Sequence, residues 1–221
     1  MKLHQDICLI STVFLLFISA ACSFPNPENR AVSPTDVNQK KQTETQKPST
    51  KTTNIIIEGE STTISLELYS HPLFTTYFPT SDFIPESVSS GEGSSVRFYA
   101  NFGGTKNEAA YVQFFFPAYT HTINQLKQTW IEGENGLLAS NGWRITEVVQ
   151  KTAYPWAKEK INYYQPENNI VGTVYVGESE GSVFYVVTHY PAEYGDGFMP
   201  RANLILQNLD INSVNLSYNY R

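Results

Sequence analysis

The stretch from Val183 to Leu209, VFYVVTHYPAEYGDGFMPRANLILQNL, does most to narrow what this chain can become. Val183 to Thr188 are all β-branched or aromatic, the composition of a strand, and Pro191 ends the ladder because it has no N–H to donate. A polar loop with Glu193, Gly195, Asp196 and Gly197 follows. Phe198, Ala202, Ile205 and Leu209 then fall at helical spacing and form one apolar stripe, with Pro200 placed in a first turn whose N–H groups need no helical partner. Strand, polar elbow and amphipathic helix in succession predict a helix folded onto a sheet. The elbow also concentrates polar chemistry: His189, Tyr190, Glu193, Tyr194, Asp196 and Arg201 lie within one short stretch.

The other end of the chain speaks to location. Ile7 to Ala21 is an apolar run too short for a membrane span of ~20 residues, and it has the length of a signal-peptide core. Ile18-Ser19-Ala20-Ala21-Cys22 resembles a bacterial lipobox, in which the cysteine receives a diacylglycerol and becomes the mature N-terminus. Ser19-x-Ala21 also satisfies an ordinary small-x-small secretory site. The only cysteines are Cys8, inside the leader, and Cys22, so a folded domain beyond them has no disulfide and no thiolate metal site. Lipidation gives Cys22 a use. Residues 1–21 are therefore expected to be a lipoprotein signal peptide and residues 22–53 the lipidated cysteine with a disordered tether. From Ser23 to Thr53 the chain is Pro, Asn, Gln, Thr and Lys with almost nothing to bury.

Residues 54–221 read as a single globular domain carrying nine Lys or Arg against seventeen Asp or Glu. That acidic balance, with no basic helix face, argues against nucleic acid. Ile64 to Phe78 suggests one or two strands, Thr80 to Ser95 a loop, Val96 to Phe102 a half-buried strand, and Ala110 to Phe116 a strand covered on both faces. Thr120 or Thr122 caps a helix through Trp130. Leu137 to Ser140 forms a short helical turn with Asn141-Gly142 as its left-handed exit, and a strand runs from Trp143 to Gln150. Tyr154 to Tyr164 is expected to be a short helix on the spacing of Trp156, Lys160, Ile161 and Tyr164. Ile170 to Val176 and Val183 to His189 flank a hairpin turn. Strands with helices segregated between them make an α+β fold, an antiparallel β-sheet sandwich with helices packed on it.

That element order, the Gly142-Trp143 strand start, the hairpin over 170–189 and the closing helix after a Pro-containing loop resemble the PsbP/DcrB-like superfamily. Its members include extrinsic photosystem subunits and bacterial envelope lipoproteins. His189-Tyr190-Pro191-Ala192-Glu193-Tyr194 is similar to a stretch of cyanobacterial proteins. The resemblance implies the sandwich fold and a role beside a membrane. No ion-binding residue of the photosystem subunits has a counterpart in this chain, so their role does not carry over.

Gly177-Glu178-Ser179-Glu180-Gly181 spells the G-x-S-x-G of a nucleophile elbow, but a strand follows where that motif needs a helix, so the segment reads as a hairpin turn. His189, Glu193 and Asp196 supply a nitrogen and two carboxylates, enough in kind for a metal site or a general base. Against that, Asp196 or Gly197 stands where a helix N-cap belongs, and Glu193 and Arg201 are placed to pair. The expectation is a non-enzymatic, lipid-anchored extracytoplasmic module, on the periplasmic or thylakoid-lumen face of a bacterial membrane, with no cofactor and no metal. It would hold a membrane-associated protein partner through His189, Tyr190, Glu193, Tyr194, Asp196 and Arg201. The alternatives are a small-ligand carrier and an envelope hydrolase or metal-dependent enzyme using the elbow.

Overall fold

The computed structural model describes residues 47–120 and 122–212. The expected leader, Cys22, the expected tether up to residue 46 and His121 lie outside the described residues. The described strands are β1 (Thr50–Ile57), β2 (Glu60–His71), β3 (Phe74–Phe78), β4 (Phe83–Ser90), β5 (Gly93–Ala100), β6 (Asn107–Pro117), β7 (Arg144–Val149), β8 (Ala157–Gln165), β9 (Ile170–Ser179), β10 (Ser182–Pro191) and β11 (Asp210–Ile211). The helices are α1 (Ile123–Leu126), which runs on into a π-helical turn (Lys127–Ile131), α2 (Leu137–Ser140) and α3 (Gly195–Gln207). The strands form two antiparallel sheets, ordered β1-β2-β3-β11 and β4-β5-β6-β10-β9-β8-β7. The fold is α+β and dominated by antiparallel sheet.

Each face of the larger sheet carries a buried core. On one face Phe98, Phe114, Phe116 and Phe184 meet Phe74 and Phe78 of β3, with the Phe74 and Phe114 rings tilted to each other and 4.8 Å apart between centres. On the other, Tyr111, Ile161, Tyr163, Val174 and Val187 pack under Leu126, Ile131 and Leu138 of the α1–α2 segment. Alternation explains the split, since successive residues of a strand point to opposite faces. Val186 lies in one core and Val187 in the other.

Helix α3 closes the first core as its stripe foretells: Phe198, Ala202 and Ile205 are fully buried. Leu209 lies beyond the last helical residue and still packs against the same core. The carbonyls of its last turn find donors outside the helix, Ile205 from Thr76 Oγ1 at 2.6 Å and Leu206 from Trp156 Nε1 at 3.1 Å. Ile205→Ala is expected to cost ~2–5 kcal/mol by leaving a cavity. The exposed neighbour Gln207→Ala should stay within ~0.5 kcal/mol. Equal urea midpoints for the two variants would remove α3 from the core.

Four expectations are corrected. Residues 154–164 are not helical: β8 occupies Ala157–Gln165, with Ala157, Glu159, Ile161 and Tyr163 buried in strict alternation between β7 and β9. Residues 80–95 contain the edge strand β4, where Pro85 is tolerated because an edge leaves one side of the strand unpaired. The first strand begins at Thr50, inside the stretch read as tether, because its alternate residues are half-buried against β2 and α3. Pro200 lies in the second turn of α3, so the carbonyl of Asp196 has no N–H four residues on to accept from.

Candidate functional site

Strand β10 delivers the elbow, and its alternation separates the elbow's residues. His189 turns toward the α1–α2 side and is 8% exposed. Tyr190 turns the other way and stacks on Phe198 of α3 at 4.7 Å. A 3-10 turn, Ala192–Tyr194, then leads straight into α3 and brings Glu193 and Tyr194 to the surface. Because Gly195 is already right-handed helical (φ −52°, ψ −47°), no extended residue precedes the helix. Asp196 is therefore not the N-cap; it lies in the first turn, exposed, where its charge suits the positive end of the helix. Arg201 does not pair with Glu193. Its Nε donates to Asp82 Oδ2 at 2.9 Å, its Nη1 to the Gly197 carbonyl at 2.7 Å, and its guanidinium lies over the Phe102 ring.

His189 sits in an aromatic box. Tyr111 stacks on it at 4.8 Å, Trp143 lies 5.2 Å away, and the Tyr163 hydroxyl is 2.8 Å from Nδ1. Trp143 and Tyr163 are themselves stacked at 4.0 Å with their ring planes nearly parallel, 2° apart. Register builds this box: Tyr99, Tyr111, His189, Gly172 and Tyr163 form one row across five neighbouring strands. Burial, and after it the positive charge of Arg97, lowers the His189 pKa to about 4, so the ring is neutral at neutral pH.

The elbow groups therefore do not converge. His189 is inside the box, Glu193 is on the surface, and Asp196 borders an open hollow of about 660 Å³ with Glu58, Met199, Pro200 and Asn203. Among the described residues no group of three or more His, Cys, Asp or Glu side chains could hold a metal ion. The Gly177–Gly181 segment is a hairpin turn: Ser179 pairs with Ser182, and Glu180 and Gly181 take the left-handed conformations (φ 50° and 77°) that a two-residue turn requires.

No protein-family model matches this chain, and no curated protein matches it. Its site must be read from its own residues.

The surface side of the elbow has one aromatic hollow. Tyr194, 37% exposed, faces Phe102 across about 270 Å³ that Thr105, Lys106, Asn107 and Glu108 also line. Lys106 is held by Glu86 at 2.7 Å and Glu108 at 3.4 Å and stands 4.3 Å over the Tyr99 ring. This hollow is below the ~300 Å³ at which small-molecule pockets begin, and the larger one beside Asp196 has no aromatic wall. Neither has the form of a carrier's pocket. Phe102 and Lys106 joined the elbow without notice from the sequence; the turn at Gly103-Gly104 was legible, but not that it folds back beside Tyr194.

Proposed function

We propose that this chain is a lipid-anchored extracytoplasmic accessory module of PsbP/DcrB-like architecture. In this reading Cys22 carries the lipid on the envelope or thylakoid-lumen face of a bacterial membrane, and the elbow docks a membrane-associated protein partner. No chemistry is assigned to His189, Glu193 and Asp196. The observation that supports the reading is the Tyr194–Phe102 hollow, because it puts an exposed aromatic and a rim of charge on a turn fixed at both ends. On one side the Ala192 N–H donates to the Asn169 carbonyl at 2.9 Å; on the other Arg201 ties α3 to Asp82. A loop held still by a sheet and a helix is the usual setting for recognition. Glu193, Tyr194 and Asp196 are its exposed members. Tyr190 and Arg201 support it from beneath, and His189, expected on this surface, is corrected to the interior because strand alternation turns it inward.

The test places a photoreactive phenylalanine at position 194, and at the exposed control position Ile56, in the full chain made in a bacterium whose lipoproteins are labelled with a radioactive fatty acid. The expected result is label on the chain, lost in Cys22→Ala, and one discrete protein adduct from position 194 that Glu193→Lys weakens several-fold. An unlabelled chain would overturn the anchor. Identical adducts from positions 194 and 56, or none from 194, would overturn the docking surface.

A further inference from the structure

On the larger sheet Arg97 is half-buried and has no anionic partner among the described residues. On the face that carries His189, the β4–β5–β6 register sets Glu86, Arg97 and Gln113 in one row and Ile84, Tyr99 and Tyr111 in the next. Helix α1 packs over β9 and β10, while Ile84, Glu86 and Val88 on β4 are exposed and Arg97 and Tyr99 are half-buried. This end of the face is open. Arg97 Nε donates to Gln113 Oε1 at 2.9 Å, Nη1 donates to the Tyr99 hydroxyl at 3.3 Å, and the guanidinium carbon lies 4.8 Å from the Tyr111 ring centre. Gln113 is in turn fixed by donating Nε2 to Ser95 Oγ at 3.0 Å. These contacts hold the guanidinium in place but engage only two of its five N–H groups.

Its neighbours are tyrosines and an amide, which orient the charge and cannot cancel it. None of the ion pairs among the described residues includes Arg97. Glu86, directly across in β4, gives its carboxylate to Lys106 instead. A cation withdrawn from water without a counter-charge is costly, and proteins pair or ligate such groups. The Tyr99 hydroxyl, which accepts from Arg97, still has its own O–H to donate.

We infer that Arg97 is the seat of an oxyanion site, with the remaining N–H groups of its Nη1 and Nη2 and the Tyr99 hydroxyl taking the carboxylate or phosphate of a small solute. A planar guanidinium presents two parallel N–H groups that match two oxygens of either anion, a geometry a lysine ammonium cannot reproduce. The site does not depend on the docking surface at Tyr194.

The full chain, ¹⁵N-labelled, is titrated with inorganic phosphate, acetate or chloride at constant ionic strength while the Arg97 Nε–H resonance is followed. A saturable shift with phosphate or acetate and none with chloride is expected; the anion that saturates names the source. In Arg97→Lys, tyrosine fluorescence should report binding weakened tenfold or more. The inference is overturned if the Arg97 resonance moves no more for either oxyanion than for chloride, or if Arg97→Lys binds as tightly as the wild type. The first measurement needs only the wild-type chain, so it decides even where the variant fails to fold.

Discussion

Gly172→Ala is expected to cost roughly 2–6 kcal/mol, more than one added methyl group usually costs. Gly172 stands between His189 and Tyr163 in the row that crosses β10, β9 and β8. A Cβ there would run into the Thr188 carbonyl oxygen and the Tyr163 hydroxyl. Neither can yield cheaply. The carbonyl belongs to the backbone of the paired strand β10, and the Tyr163 ring is locked under Trp143 at 4.0 Å. Glycine is thus what lets the Tyr163 hydroxyl reach across β9 to His189 Nδ1 and the Thr188 carbonyl. The methyl would overpack the row, at ~1–3 kcal/mol, and also strip a buried imidazole of its partner, at a further ~1–3 kcal/mol. Gly91→Ala is the control, since nothing lies within 4 Å of its added Cβ. Urea midpoints of the two variants check the claim: a Gly172→Ala midpoint as high as that of Gly91→Ala would mean the row relaxes freely.

The parts of this fold that local chemistry decides were legible in the sequence. Thr122 caps α1 by accepting from the Gln125 N–H at 3.2 Å, Gly142 takes the left-handed exit at φ 64°, and the α3 stripe is buried. What failed depended on partners distant in the chain. Trp156, Lys160, Ile161 and Tyr164 satisfy a helical period, but β7 and β9 offer strand partners on both sides, and the pairing overrides the local pattern. β1 is polar enough to pass for linker because half its residues face water. The elbow misled in another way. Residues close in sequence, His189, Glu193 and Asp196, looked like a cluster, yet a strand sends neighbours to opposite faces and a 3-10 turn then removes any residue that could cap. The pairing of Arg97 with Gln113 was out of reach, because a register shift at Tyr99/Ala100 and the 3-10 turn Phe102–Gly104 both offset the strands around Gly103-Gly104.

Acid is expected to remove roughly 3 kcal/mol of stability through His189 alone. In the unfolded chain this imidazole has an ordinary pKa near 6.5, whereas burial and then Arg97 lower it to about 4 in the fold. Above pH ~6.5 the ring is neutral in both states and contributes no pH dependence. As the pH falls below that value, the unfolded chain takes up a proton that the folded chain refuses. Each pH unit then favours unfolding by about 1.4 kcal/mol until the native ring itself titrates near pH 4. Carboxylates contribute to any acid transition, so the informative quantity is the difference from a variant that cannot titrate at this position. His189→Asn keeps a polar group where Nδ1 meets the Tyr163 hydroxyl but gives up the ring contacts with Tyr111 and Trp143. It should be less stable than the wild type at pH 8, and its loss between pH 6.5 and 4 should be smaller by roughly 3 kcal/mol. Denaturant titrations across that range measure both slopes, and the imidazole Cε1–H resonance measures the native midpoint directly. Parallel acid limbs, or a native midpoint near 6.5, would mean that protons reach His189 and that the aromatic box is open to water.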